Sequence, residues 1–155
     1  MAAPTMSHLI CSMGLVVLVL VLPGIFAMER DSVANDIASR ELKEITDYTS
    51  NTLENLFLLA NSTNSLELTI TKELIYLPLT VEGSFYTLQI ESVDGVNASR
   101  VTAFLNDKQE VGSSSWLVSG LKILPANSIE INNKSVIAGC QRNATGFYVW
   151  IEEGE

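Results

Sequence analysis

Residues 1–28 contain no Asp, Glu, Lys or Arg, and from Leu9 to Ala27 the chain reads LICSMGLVVLVLVLPGIFA. A bilayer core is crossed by about 20 helical residues, so this run is long enough to span one. Leu15–Leu22 is wholly Leu and Val. A helix on a soluble protein needs a polar face, and this one has none. Ser12, Gly14 and Pro23 weaken a soluble helix but are tolerated in a membrane, where Pro23 should bend the helix near its far end. The rival reading is a cleaved secretory signal. Against it, residues 1–8 (MAAPTMSH) carry no Lys or Arg, and Ile25 fits a small-x-small cleavage pattern poorly. A retained anchor is therefore expected over residues 1–28, with the lipid bilayer as its first partner.

The remaining residues hold all the charge: 18 acidic against 9 basic, a net −9. No basic patch is present, which excludes nucleic acid as a partner. The flanking Arg30, Arg40 and Lys43 would by themselves hold the C-terminal flank inside. Glu29, Asp31 and Asp36 are interleaved with them, and the downstream part has an exported character, so an extracytoplasmic head is expected.

Residues 29–64 are read as a stalk. Between Glu29 and Ala60 there is no Gly or Pro to stop a helix. Ala38, Leu42, Ile45, Thr49, Thr52, Leu56 and Leu59 step by four and three, a heptad seam with two Thr in its middle. Lys43 and Asp47 stand four apart and can pair. The seam can pack on the chain's own domain or on other copies. Residues 53–60 are assigned to the chain's own core, and residues 29–40 are left free to meet other subunits or water. Asn61–Ser65 should end the helix.

Residues 65–155 change to a period of two. Leu66, Leu68 and Ile70, then Tyr86, Leu88 and Ile90, then Val101, Ala103 and Leu105 alternate with polar residues. Further strands are expected at Ser115–Val118, Leu121–Leu124, Ser128–Ile131 and Phe147–Ile151. Turns are expected at Glu82-Gly83, Asp94-Gly95, Asn106-Asp107, Gly112, Pro125–Asn127 and Asn132-Asn133. Short strands at this spacing indicate a small antiparallel β-sandwich or partly closed barrel. The fold class is thus α+β: a membrane helix, an amphipathic stalk helix, then a β-rich head. Phe85, Phe104, Trp116, Phe147, Tyr148 and Trp150 read as core or sheet-face residues. Tyr148 and Trp150 form the expected surface pair, because Phe147 and Val149 would face the other way.

Asn-x-Ser/Thr occurs at Asn61, Asn97, Asn133 and Asn143. All four fall at expected turns, where a glycan can be accommodated, and they support an exported head. Cys11 and Cys140 cannot meet in one subunit, so no disulfide is expected. No catalytic, cofactor-binding or metal site is expected. The single His is His8, no Gly-rich phosphate loop follows a strand, and the Glu152, Glu153 and Glu155 tail lacks an accompanying oxygen-rich loop.

The order of SHLICSMGLVVLVLVLPGIF, ASRELKEITDYTSNTLENLFLLANSTN and ELIYLPLTVEGSFYTLQI resembles the archaeal type IV pilin and archaellin superfamily, and within it the small single-pass pilin-like proteins. The resemblance implies helix-core assembly, a surface-exposed head and no catalytic residues. Met6-Ser7-His8 depart from the basic and small residues that precede a processed pilin's apolar run. That points to an unprocessed subunit or anchor. The expected function is a non-catalytic, membrane-anchored structural or accessory subunit of a surface filament or cell envelope. Its partners would be other pilin-like subunits or envelope proteins. Ala34, Ala38, Leu42 and Ile45 would make the helix–helix contacts. The alternative is a single-pass anchored binding module whose head holds a ligand or envelope partner.

Overall fold

The computed structural model describes residues 3–93, 98–124, 128–132 and 135–154, with side chains from Ile10 onward. The chain divides into two units, Met1–Asp36 and Ile37–Glu155. One helix, α1 (Ala3–Ser62), contributes to both and contains Pro23.

In the first unit the stretch from Ile10 to Met28 exposes its side chains throughout. In the second unit α1 follows its seam. Ala38, Leu42, Ile45, Thr49, Thr52 and Leu56 are all buried. Leu59 departs from the seam at 54% exposure, and Ala60 takes the inward position instead. The assignment of 53–60 to the core holds for Leu53, Leu56 and Ala60, whereas Leu58 and Leu59 point outward. A helix turning every 3.6 residues cannot bury every apolar residue in a consecutive run. The buried Thr residues are not orphaned polar groups: Thr49 Oγ1 donates to the Ile45 carbonyl at 2.9 Å, and Thr46 Oγ1 to the Lys43 carbonyl at 3.0 Å.

Eight strands follow: β1 (Leu68–Glu73), β2 (Tyr86–Val93), β3 (Ala98–Leu105), β4 (Gly112–Trp116), β5 (Lys122–Ile123), β6 (Ser128–Glu130), β7 (Val136–Asn143) and β8 (Gly146–Glu153). They form two four-stranded sheets, ordered β1-β7-β8-β5 and β4-β3-β2-β6. The fold is α+β. The sheets are not wholly antiparallel as expected, because β5 pairs with β8 in parallel. Between these two strands the chain crosses to the other sheet as β6 and returns as β7, which supplies the crossover a parallel pair needs.

Period-two patterning sets the inward faces. In β2 Tyr86, Leu88 and Ile90 are buried, and opposite them on β3 stand Leu105, Ala103 and Val101. Val149 and Ile151 of β8 oppose Cys140 and Ala138 of β7. All belong to one core with Leu42, Leu53 and Leu56 of α1. Each Val, Leu or Ile among them withdrawn from water contributes about 1.5–3 kcal/mol before chain entropy is counted, and each Ala well under that. Strand β7 was not anticipated from the sequence, although Val136, Ala138 and Cys140 alternate inward. Two of these are small residues that carry a weak hydrophobic signal.

The Glu82-Gly83 turn is present. Both residues have positive φ, 48° and 81°, and Val81 and Ser84 exchange two backbone hydrogen bonds at 2.9 Å. That is a type I′ geometry, in which Gly83 is unstrained and Glu82 adopts a conformation that L-residues disfavour. The expected turns at Asp94-Gly95 and Pro125–Asn127, and the Asn133 part of the turn at 132–133, lie outside the described residues.

One expectation for the aromatic residues changes: Phe85 precedes β2 and is 52% exposed, neither core nor within a strand. Trp116 lies in β4 and is 57% exposed, a sheet residue outside the core. The fully buried aromatic is Tyr86, whose hydroxyl donates to the Pro78 carbonyl at 2.9 Å. Phe147 joins the core's margin, edge-on to Phe57 with ring centroids 4.9 Å apart.

Candidate functional site

Three surfaces concentrate the features that bear on function. The first is the apolar segment of α1. It is long and apolar enough to cross a membrane, and none of its most apolar window is buried within the chain. Leu15, Leu18 and Leu20 are 64%, 56% and 73% exposed. An exposed apolar surface on every side of a helix is stable in lipid and not in water.

The second is a polar latch between α1 and β4 within the second unit. As the terminal strand of its sheet, β4 presents carbonyls that β3 does not use. Side chains of α1 take two of them. Lys43 Nζ donates to the Ser114 carbonyl at 3.2 Å, and Ser50 Oγ donates to the Trp116 carbonyl at 2.8 Å. Lys43 Nζ also reaches Asp47 Oδ1 at 2.7 Å, the pair expected from their spacing, and Ser115 Oγ at 2.9 Å. The Ser115 hydroxyl donates in turn to Asp47. Asp47's carboxyl is held below its usual value, first by the hydrogen bond from Lys43 and then by that from Ser115. A covered edge cannot template unwanted strand pairing.

The latch and the core together revise the assembly positions. Ala38, Leu42 and Ile45 were expected to contact other helices. They are 1%, 0% and 5% exposed within the chain's own core, so a neighbouring subunit cannot reach them. Ala34 lies in the first unit and outside that core.

The third surface lies on the outward side of β7 and β8. Tyr148 and Trp150 face away from Val149 and Ile151, as the alternation required, and both are half-buried. Trp150 is paired directly across from Gly139, and a Cβ on that glycine would overlap the indole ring. The Trp150 ring therefore lies flat over a gap left for it, which makes it a sheet-face cover more than a free contact. Tyr148 has the Lys122 ammonium 5.5 Å from its ring centre and the Thr145 hydroxyl 2.9 Å from its own. These groups, Thr145 first, hold its phenol below the usual value.

Of the sequons, Asn61 is exposed in the last turn of α1 rather than in a turn beyond it. Asn143 ends β7, where its Oδ1 accepts from both the backbone and the hydroxyl of Thr145. Asn97 and Asn133 lie outside the described residues. Cys140 is buried, and burial pushes its thiol up to about 11. Among the described residues no group of three or more His, Cys, Asp or Glu is placed to hold a metal ion.

Sequence reasoning missed the concavities among the described residues. One of them, a groove of about 630 Å³ between α1 and the β1–β2 connection, is lined by Glu41, Glu44, Ile45, Tyr48, Tyr76, Pro78 and Thr80. Tyr48 and Tyr76 meet edge-to-face, with ring centroids 5.8 Å apart. The helix spacing of Glu41, Glu44 and Tyr48 was readable, but the approach of Tyr76 is made only by the tertiary fold. No family model matches this chain, and no match is found among curated proteins or solved structures.

Proposed function

We propose that this chain is a membrane-anchored, non-catalytic, pilin-like subunit or accessory component of a surface filament or cell envelope, its β head lying outside the membrane. The observation that carries this reading is the apolar segment of α1, unburied over its most apolar window. The resemblance of the leader, stalk and head to archaeal pilin-like proteins supports it. So does the exposure of Asn61 on the head side of the chain. Two sheets sharing one core with the second half of α1 favour a sandwich over a partly closed barrel. With Ala38, Leu42 and Ile45 occupied, contacts between subunits would use the apolar span, Ala34 and the exposed Val33 and Ile37.

The test is the mass and N-terminus of the mature protein from native membranes. An intact Met1 or Ala2 supports an unprocessed anchor. A start near Leu9 supports a processed, polymerising subunit. A start at Met28 removes the span and sinks the reading. Added hexose mass on Asn61 or Asn143 would place the head outside.

A further inference from the structure

We infer that the groove between α1 and the β1–β2 connection is a recognition site for an arginine side chain carried by a protein partner. The inference does not depend on whether the chain belongs to a filament. Glu41 and Glu44 stand one helical turn apart at this groove, both exposed. Neither takes part in an ion pair or side-chain hydrogen bond among the described residues. Beside them Tyr76 is 75% exposed, and Pro78 adds apolar surface. The volume falls within the roughly 300–1,000 Å³ usual for ligand clefts.

A structural role accounts for part of this arrangement, since the Tyr48–Tyr76 contact ties the β1–β2 connection to the helix. It does not account for two unpaired carboxylates, or for an aromatic ring left three-quarters open to water. Tyr48 presents its ring to the groove, whereas its hydroxyl is enclosed and out of an occupant's reach.

Charge and shape together select the occupant. Negative carboxylates and the electron-rich faces of tyrosine rings both favour a cation. A guanidinium is planar, so it can stack on an exposed ring while its fork of N–H donors reaches a carboxylate. Its aliphatic stem suits the Pro78 surface. A compact ammonium would satisfy the charge but not the flat ring. The net charge of −9 attracts a basic partner from a distance.

The test uses the full-length protein in lipid nanodiscs with isotope-labelled tyrosine. The probe is a short blocked peptide with one central arginine. Its comparison peptide carries citrulline, which keeps the shape and loses the charge. Agmatine and tetramethylammonium report on free small cations. Saturable shifts of the Tyr48 and Tyr76 ring signals are expected with the arginine peptide, and binding about tenfold weaker with the citrulline peptide. Glu41→Gln combined with Glu44→Gln should weaken the arginine peptide by a similar factor and leave the citrulline peptide unchanged. These two positions are exposed, so the variants retain the fold and the test stays decisive. Equal binding of both peptides, or no saturable shift at millimolar peptide, would overturn the inference. Agmatine or tetramethylammonium binding as tightly as the peptide would overturn it too, by making the groove a small-cation site.

Discussion

Substituting Gly139 by Ala should destabilise the head, and the sign of that effect should reverse when Trp150 is absent. Gly139 lies in the interior of β7, directly opposite Trp150 on β8. Its φ is not in the left-handed region, so alanine meets no backbone strain there. The difficulty is space, because the new Cβ would stand within the indole ring. Either the ring swings away from the sheet or the strands part. Such overpacking costs about 1–3 kcal/mol, offset by about 0.5–1 kcal/mol because alanine loses less chain entropy than glycine. The net expectation is a loss of about 1–2 kcal/mol.

Trp150→Ala alone removes a half-buried indole and leaves Gly139 bare. Full truncation of a buried Trp costs about 3–5 kcal/mol, so about half of that is expected here. In the Trp150→Ala background the obstacle to Gly139→Ala has gone. The second substitution should then be neutral, or stabilise by about 0.5–1 kcal/mol. The four proteins form a double-mutant cycle with a coupling of about 2 kcal/mol. The assay is urea unfolding of the full-length proteins in detergent, followed by circular dichroism of the β head. If Gly139→Ala costs as much without Trp150 as with it, the ring is not what fills the space above residue 139.

Asp47→Asn should flatten the acid limb of stability. The carboxyl's value is depressed in the folded chain, so its contribution is present above the ordinary carboxylate value near 3.8 and is lost as pH falls through the lower folded value. Urea midpoints of wild type and variant, compared from neutral to acid pH, should converge at low pH; parallel curves would contradict the latch. Cys140, with its thiol near 11, should be only about one-thousandth ionised at pH 8 and resist iodoacetamide until the head is unfolded. Rapid alkylation of Cys140 in the native protein, located by peptide mass, would contradict its burial. Leu53→Ala, at a fully buried position of α1 beside the seam, should cost about 2–5 kcal/mol by the same urea assay. The exposed Leu58→Ala should stay within about 0.5 kcal/mol. Equal effects would refute the assigned helix face.

The elements whose signals are local could be read directly from the order of residues. Nineteen residues without charge from Leu9 to Ala27 make a lipid-compatible helix, whatever follows them. Alternation in β2, β3 and β8 sets which side chains point inward, because a strand can present only two faces. The Lys43–Asp47 pair and the Glu82-Gly83 turn also follow from spacing and residue type. Tertiary structure decided what the stalk seam packs against. Ala38, Leu42 and Ile45 are as apolar toward a second subunit as toward their own sheets, so periodicity could not choose between them. The fold chose the sheets, and Lys43 and Ser50 joined the helix to β4. Strand β7 went unread because its inward Ala138 and Cys140 are small and Gly139 interrupts the pattern, though that glycine is what admits Trp150. The meeting of Tyr48 with Tyr76 is likewise invisible in one dimension: 27 residues lie between them, and only the return of the chain past α1 brings the two rings together.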